Sequence, residues 1–416
     1  MKIAILTIGD EICIGQITNT NASWIASACT SIGAQVTIHS TIGDTSKELV
    51  DELHRLQSLV DCIIITGGLG PTHDDKTKET LKNYFNDSYI LHEPTLNLLQ
   101  ERANLRGIEL TQRNQDQALV PSSCTVLLNT RGTAPGMLFE QDGISYISLP
   151  GVPLEMKGLM NDFVLPNINE KLQSFQGNRA YYRTLLTKGI PESNLADLIG
   201  DPHHFLQSND SLAFLPSYQG VRLRLGTKAD EKVQGQFRLE QLSNILYEKV
   251  GSYIFGEGDG SLLTETVKLL NHHNCTIGVV ESCTGGTLGE ALTSLQGSSS
   301  YFMGGLLTYS NELKISLAHV SPTTIEKHGA VSEKVAEEMA MGGLKVLNTS
   351  YCLSITGIAG PGGGTPEKPV GTVWVGLASK NTVITRKFVF GADREMNRER
   401  SVSAAIGMLY DALQAL

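Results

Sequence analysis

Apolar positions along this chain follow two alternating periods. Residues 2–8 form a nearly continuous apolar run, 21–32 carry apolar residues at helical spacing, 35–41 read as a strand and 46–56 as an amphipathic helix. Residues 60–66 are apolar and β-branched, and glycines then interrupt them. Such strand–helix–strand alternation predicts a mostly parallel sheet covered by helices. It continues to about Ile168, beyond a turn at Leu149-Pro150-Gly151-Val152-Pro153. From Asn169 to about Phe255 the pattern changes to a small α+β module, with strands over 182–188 and 221–228 and helices over 192–199 and 231–250. The run Gly256-Glu257-Gly258-Asp259-Gly260 reads as a linker. Strand–helix alternation then resumes and ends in a helix over about 397–413. The expected fold class is α/β: two separate α/β domains with mostly parallel sheets, 1–168 and 256–416, joined by a small α+β domain over 169–255.

Length and composition agree. A chain of 416 residues exceeds one hydrophobic core, and an apolar fraction of 41% suffices to build two or three. Net charge is −10, and no basic stripe is interleaved with aromatics, so nucleic acid is not an expected partner. The seven cysteines are scattered and odd in number, without a CxxC pair, which points to reduced thiols and a cytoplasmic protein rather than a disulfide framework. The apolar N-terminus is too short to span a bilayer and meets Asp10 and Glu11 at once; no other stretch is long enough, so no membrane association is expected.

The chemistry concentrates after the third of these segments begins. Glu281-Ser282-Cys283-Thr284-Gly285-Gly286 lies between an apolar strand, 275–280, and a helical pattern, 287–295. Hydroxyls and backbone N–H groups at such a strand-to-helix turn suit an anion or a nucleophile that must stabilise developing negative charge, although Ser and Thr are also ordinary helix caps. Downstream, Lys314 falls in the first turn of a helix capped by Ser310 or Asn311, where the helix dipole and burial both favour a neutral amine. A neutral amine is a general base; a solvated surface lysine is the plainer alternative. Thr356 ends a strand and runs into a loop containing Gly360 and Gly362, at the strand end where open α/β sheets bind ligands. Arg394, Arg398 and Arg400 enter the last helix and suit a phosphate or carboxylate.

Val280-Glu281-Ser282-Cys283-Thr284-Gly285-Gly286, Tyr309-Ser310-Asn311-Glu312-Leu313-Lys314, His328-Gly329-Ala330-Val331-Ser332 and Thr356-Gly357-Ile358-Ala359-Gly360-Pro361 together resemble the C-terminal domain of the CinA family over essentially all of residues 261–416. The resemblance implies a nicotinamide mononucleotide deamidase that needs no cofactor. It assigns Ser282 as nucleophile, Lys314 as base, Tyr309 and Thr356 as further catalytic or positioning hydroxyls, and an arginine near the last helix, best matched by Arg398 with Arg394 and Arg400 as neighbours. Thr284, Gly285 and Gly286 then bind substrate, either at the oxyanion or at the 5′-phosphate, and Gly360 and Gly362 line the same site.

In the N-terminal segment, Gly67, Gly68, Gly70 and Thr72 follow a buried strand and lead to Asp74 and Asp75. Glycines allow close backbone approach to a ligand, and paired acids beside them suit either a divalent cation bridging phosphates or helix capping. With Gly132-Thr133-Ala134-Pro135-Gly136, 149–156, Asn114 and Gln117-Ala118, this segment resembles the molybdopterin-binding fold in its CinA form; Cys13 stands where an aliphatic residue is usual. The resemblance implies a metal-dependent ADP-ribose pyrophosphatase, with Asp10, Asp74, Asp75 and Glu155 as metal or phosphate ligands and a divalent metal ion as cofactor. Gly189-Ile190-Pro191-Glu192-Ser193 and residues 215–220 resemble the family's KH-type domain, but lack a GXXG clamp with flanking basic residues, so it is expected to serve as a spacer or homodimer element. The expected whole is a hydrolase of pyridine nucleotides. The alternatives are a pterin-binding module with a vestigial amidase, or a non-enzymatic partner in DNA uptake, against which the acidic charge argues.

Overall fold

Isoleucine-rich runs become the central strands of a six-stranded sheet in the computed structural model, which describes residues 1–72, 75–174, 179–217 and 220–416. These residues fall into two units, Met1–Tyr182 with Thr227–Arg238, and Arg183–Gly226 with Leu239–Leu416. In the first unit β1 (Lys2–Ile8), β2 (Gln35–Ile42) and β3 (Cys62–Thr66) pair in parallel, with β1 in the middle. Side chains alternate across the pleat. Ile3, Ile5, Cys62 and Ile64 therefore enter one core, and Ala4, Leu6, Ile63 and Ile65 enter another on the opposite face. That is why all five residues of β3 are buried and why its sequence is a continuous apolar run.

A two-stranded ribbon, β4 (Tyr89–Leu91) with β5 (Leu119–Pro121), stands apart from this sheet. β6 (Thr125–Leu127), β7 (Gly136–Gln141) and β8 (Ile144–Leu149) complete it in the order β2-β1-β3-β8-β7-β6. β8 joins β3 in parallel, but β7 and β6 are antiparallel. The reversal follows from the two-residue turn Asp142-Gly143, whose φ values of 52° and 79° match a hairpin turn.

β9 (Arg179–Thr187), β10 (Ser211–Ser217), β11 (Gly220–Ala229) and β12 (Ile254–Glu257) form a small sheet in the order β10-β11-β9-β12. The glycine run expected as a linker begins inside β12, where Gly256 and Glu257 pair with Leu186 and Leu185. An edge strand tolerates such a glycine.

The last sheet contains β13 (Ile277–Glu281), β14 (Phe302–Leu307), β15 (Tyr351–Gly357), β16 (Thr372–Ser379) and β17 (Val383–Val389), ordered β14-β13-β15-β16-β17. β13 is parallel to both neighbours, and β16 and β17 extend the sheet antiparallel. Helices Leu262–His272 and Arg394–Gln414 cover one face with Val279, Leu353 and Ile355; helix Glu333–Leu347 covers the other with Val280 and Cys352. Because β13 has its successors on opposite sides, a crevice opens at its carboxyl end, the place where open α/β sheets bind ligands. β1 has the same position in the first sheet. Among the described residues no helix is long and apolar enough to cross a membrane.

Candidate active site

β13 stops at Glu281, and the chain turns through Ser282 into helix Thr287–Thr293. The Ser282 N–H donates to the Ile355 carbonyl (3.1 Å), which ties the turn to β15. The Glu281 carboxylate accepts the N–H groups of Gly286 (3.0 Å), Leu288 (3.1 Å) and Gly289 (2.8 Å) and is only 2% exposed. It thus fills the helix N-terminus with the chain's own negative charge. Gly286 has φ 102°, a conformation that favours glycine.

Across the crevice, β14 ends at Leu307, and the Thr308 N–H donates to the Glu281 carbonyl (2.7 Å). Ser310 caps helix Asn311–Ala318 by accepting the Leu313 N–H. Lys314, in that first turn, points inward and is 2% exposed. Its Nζ lies 2.9 Å from Ser282 Oγ and donates to the Thr308 carbonyl at 2.8 Å. A lysine is rarely so buried without a carboxylate, and none pairs with it among the described residues. Burial pushes the Lys314 amine below its ordinary value, with the Cys283 thiol pulling the other way. The thiol itself is pushed up to about 11 by burial, so it is neutral at pH 7.

The remaining expected residues surround this pair in distinct ways. Thr356 is buried and donates its hydroxyl proton to the Ala330 carbonyl (2.8 Å), which leaves only lone pairs for a ligand. Tyr309 is exposed, and its hydroxyl accepts from Arg394 Nη2 at 3.4 Å. Arg394 Nη1 donates to the Gly360 carbonyl (2.8 Å), so this arginine links the two loops of the crevice. Arg398 turns away to the Thr284 carbonyl (3.0 Å) and Thr287 Oγ1 (2.6 Å). Gly285 donates to the Ser282 carbonyl and Gly286 to Glu281, whereas no backbone carbonyl takes the Cys283 or Thr284 N–H among the described residues. Gly362 lies exposed in the glycine-rich loop. Sequence reasoning missed Glu281. The signal was an acid at the strand end, six residues before a helix start that has glycines where a capping side chain is usual.

In the first unit a cavity of about 410 Å³ opens at the carboxyl ends of β1 and β3, lined by Gly67, Gly68, Gly70, Asp75 and Glu155 together with Glu11 and Asp44. Gly67 has φ 115°, and a side chain there would collide with the Ile8 carbonyl. Asp75 accepts the Thr72 N–H (3.0 Å) and hydroxyl, and Glu155 accepts Asn129 Nδ2 (2.6 Å). The Asp10 N–H donates to Asp44 Oδ2 (3.0 Å) and the Asp44 N–H to Asp10 Oδ1 (3.3 Å), so each carboxylate accepts the other's backbone. Asp10, Thr72 and Asn114 are not among the lining residues, and Asp74 lies outside the described residues. Among the described residues no three His, Cys, Asp or Glu side chains are grouped to hold a metal ion. The described acids therefore do not by themselves fit a metal cage.

Comparison with known proteins divides the chain three ways. The profile of the "CinA C-terminal domain" matches residues 259–413, that of the "Probable molybdopterin binding domain" residues 4–170, and that of the "Damage-inducible protein CinA KH domain" residues 182–256. A CinA-like protein of Flavobacterium psychrophilum is 41% identical across 99% of this chain and 98% of its own length. Another, from Cytophaga hutchinsonii, is 38% identical across 97% of this chain and 96% of its own. The crystal structure of competence/damage inducible protein CihA from Agrobacterium tumefaciens is 35% identical, covering 37% of this chain and 93% of that one, with a TM-score of 0.36.

Proposed function

The chain belongs to the CinA family, and from that premise we propose that its C-terminal domain hydrolyses nicotinamide mononucleotide to nicotinate mononucleotide and ammonia. One observation carries this reading: a buried lysine with no carboxylate partner among the described residues, 2.9 Å from a buried serine hydroxyl. Amide hydrolysis by a serine needs a base for its proton and an acid for the leaving amine, and one neutral lysine serves both steps. Neutral Lys314, steadied by the Thr308 carbonyl, takes the Ser282 proton as Oγ forms a bond to the carboxamide carbon. The resulting ammonium protonates the amide nitrogen, the C–N bond breaks and ammonia leaves an acyl-serine. Water then gives a proton to Lys314 and attacks the ester, and the proton returns to Ser282 as nicotinate mononucleotide departs.

The Cys283 and Thr284 N–H groups are the donors proposed for the oxyanion, since Glu281 occupies the helix N-terminus. Arg394, beside Tyr309 and Gly360, is proposed to meet the substrate phosphate, because Arg398 is engaged by Thr284 and Thr287. The test is ammonia release from nicotinamide mononucleotide by the purified full chain. No release above that of Ser282→Ala sinks the proposal.

The glycine-lined cavity of the first unit supports a second reading, binding of a phosphorylated nucleotide with cleavage of ADP-ribose. A divalent metal would neutralise phosphate charge there, with Asp75 and Glu155 as the lining acids to hold it. The described acids do not complete its coordination, so phosphate oxygens would have to supply further ligands. Asp75→Ala is expected to abolish metal-stimulated ADP-ribose cleavage and leave deamidation unchanged. A wild-type chain inert toward ADP-ribose with magnesium or manganese refutes this reading.

A further inference from the structure

We infer that Glu281 is a positioning residue for the Ser282 nucleophile: its buried carboxylate clamps the first turn of helix Thr287–Thr293 and thereby sets where Ser282 Oγ stands relative to Lys314. This rests on the deamidase reading and deepens it. Glu281 is joined to the reacting pair through two short covalent and hydrogen-bonded routes. Its own carbonyl receives the Thr308 N–H (2.7 Å), and the Thr308 carbonyl in turn receives Lys314 Nζ (2.8 Å). Its side chain holds Gly286, Leu288 and Gly289, which close the turn that begins at Ser282. One residue therefore bonds both to the nucleophile's turn and to the strand end whose carbonyl receives the base.

Ile355 and Arg398 hold the first half of the turn, at Ser282 and Thr284, and Glu281 holds the second, at Gly286, Leu288 and Gly289. Gly285 and Gly286 adopt φ of 63° and 102°, and Gly286 at the helix cap has no side chain to cap it. Glycines leave a chain many conformations, and three charge-assisted hydrogen bonds accepted by one carboxylate restrict the second half of this turn.

The experiment compares Glu281→Gln and Glu281→Asp with wild type in the full chain. Gln keeps the shape but replaces one acceptor oxygen by an amide that cannot accept. Two readouts are taken: kcat and KM for nicotinamide mononucleotide, and the rate at which a fluorophosphonate ester labels Ser282, followed by intact mass with Ser282→Ala as the blank. Labelling needs no substrate, so a failed deamidase reading and a failed Glu281 inference remain distinguishable. The expected result for Glu281→Gln is a fall of at least tenfold in both kcat and labelling rate, with KM moving less than threefold. Glu281→Asp, which keeps the charge but shortens the reach, is expected to fall between wild type and Gln, and it replaces Gln as the test if Gln does not fold. A folded variant with a lowered melting temperature and an unchanged labelling rate overturns the inference, because Glu281 would then only cap a helix.

Discussion

Lys314→Arg separates a base from a mere positive charge. In the wild type, Nζ lies 2.9 Å from Ser282 Oγ in a site where the residue is 2% exposed. Burial lowers its proton affinity, so part of the population is neutral at a pH where a surface lysine is fully charged. Arginine stays protonated throughout the accessible range. General-base catalysis contributes about 10²–10⁴ in rate, which corresponds to about 3–5 kcal/mol of barrier. Both Lys314→Arg and Lys314→Met should lose activity on that scale in a coupled ammonia assay, with KM less affected in Arg. The wild type should show an acid limb in kcat as Lys314 gains its proton, and both variants should lack it. The stability sign is fixed by the same shift. A lowered folded value means the unfolded chain binds more protons, so stability rises with pH between the folded value and the unfolded value of about 10.4. Lys314→Met should lose that slope in urea titrations; its broken bond to Thr308 costs about 1–3 kcal/mol, offset by removal of the desolvated amine. Lys314→Arg turnover above a tenth of wild type would refute the base assignment and leave Tyr309 as the next group to test.

Ser282→Ala should cut deamidation by several orders of magnitude while circular dichroism and melting stay close to wild type, since the side chain is small and the backbone bond to Ile355 remains. Arg394→Ala should raise KM for nicotinamide mononucleotide more than tenfold with little change for the dephosphorylated nucleoside; an equal loss on both would remove Arg394 from the phosphate. Gly67→Ala should destabilise the first unit by about 2–4 kcal/mol in urea, because the new methyl meets the Ile8 carbonyl at a φ disfavoured for alanine. At Asp87 burial raises the carboxyl's proton affinity, but bonds from Ser122, Ser123 and the Ser88 N–H outweigh it and hold the group well below the ordinary carboxylate range. Its contribution is present above the unfolded value and lost as pH falls through the folded one, so Asp87→Asn should flatten the acid side of the stability profile.

Much of this protein was legible in its sequence because local physics decides it. β1 over Lys2–Ile8 and the helices Ser46–Leu56 and Glu192–Ile199 have the bounds their hydrophobic periods predict, since burial of one stripe or one pleat needs no distant information. Ser282 and Lys314 were readable as candidates for a nucleophile and a base by residue type and by their places at a strand end and a first helical turn. The antiparallel extensions were not foreseen, although Asp142-Gly143 signalled one of them, because strand pairing depends on which segments meet across the sheet. Tertiary structure alone decided that Lys314 points inward to Ser282 rather than into water, 32 residues away along the chain. It also gave the helix N-terminus to Glu281 and separated the hydrogen-bond partners of Arg394 and Arg398, which are one helical turn apart in the same helix. Periodicity says which face of an element is apolar; a polar side chain's partner is chosen by the few angstroms between elements that only the folded chain brings together.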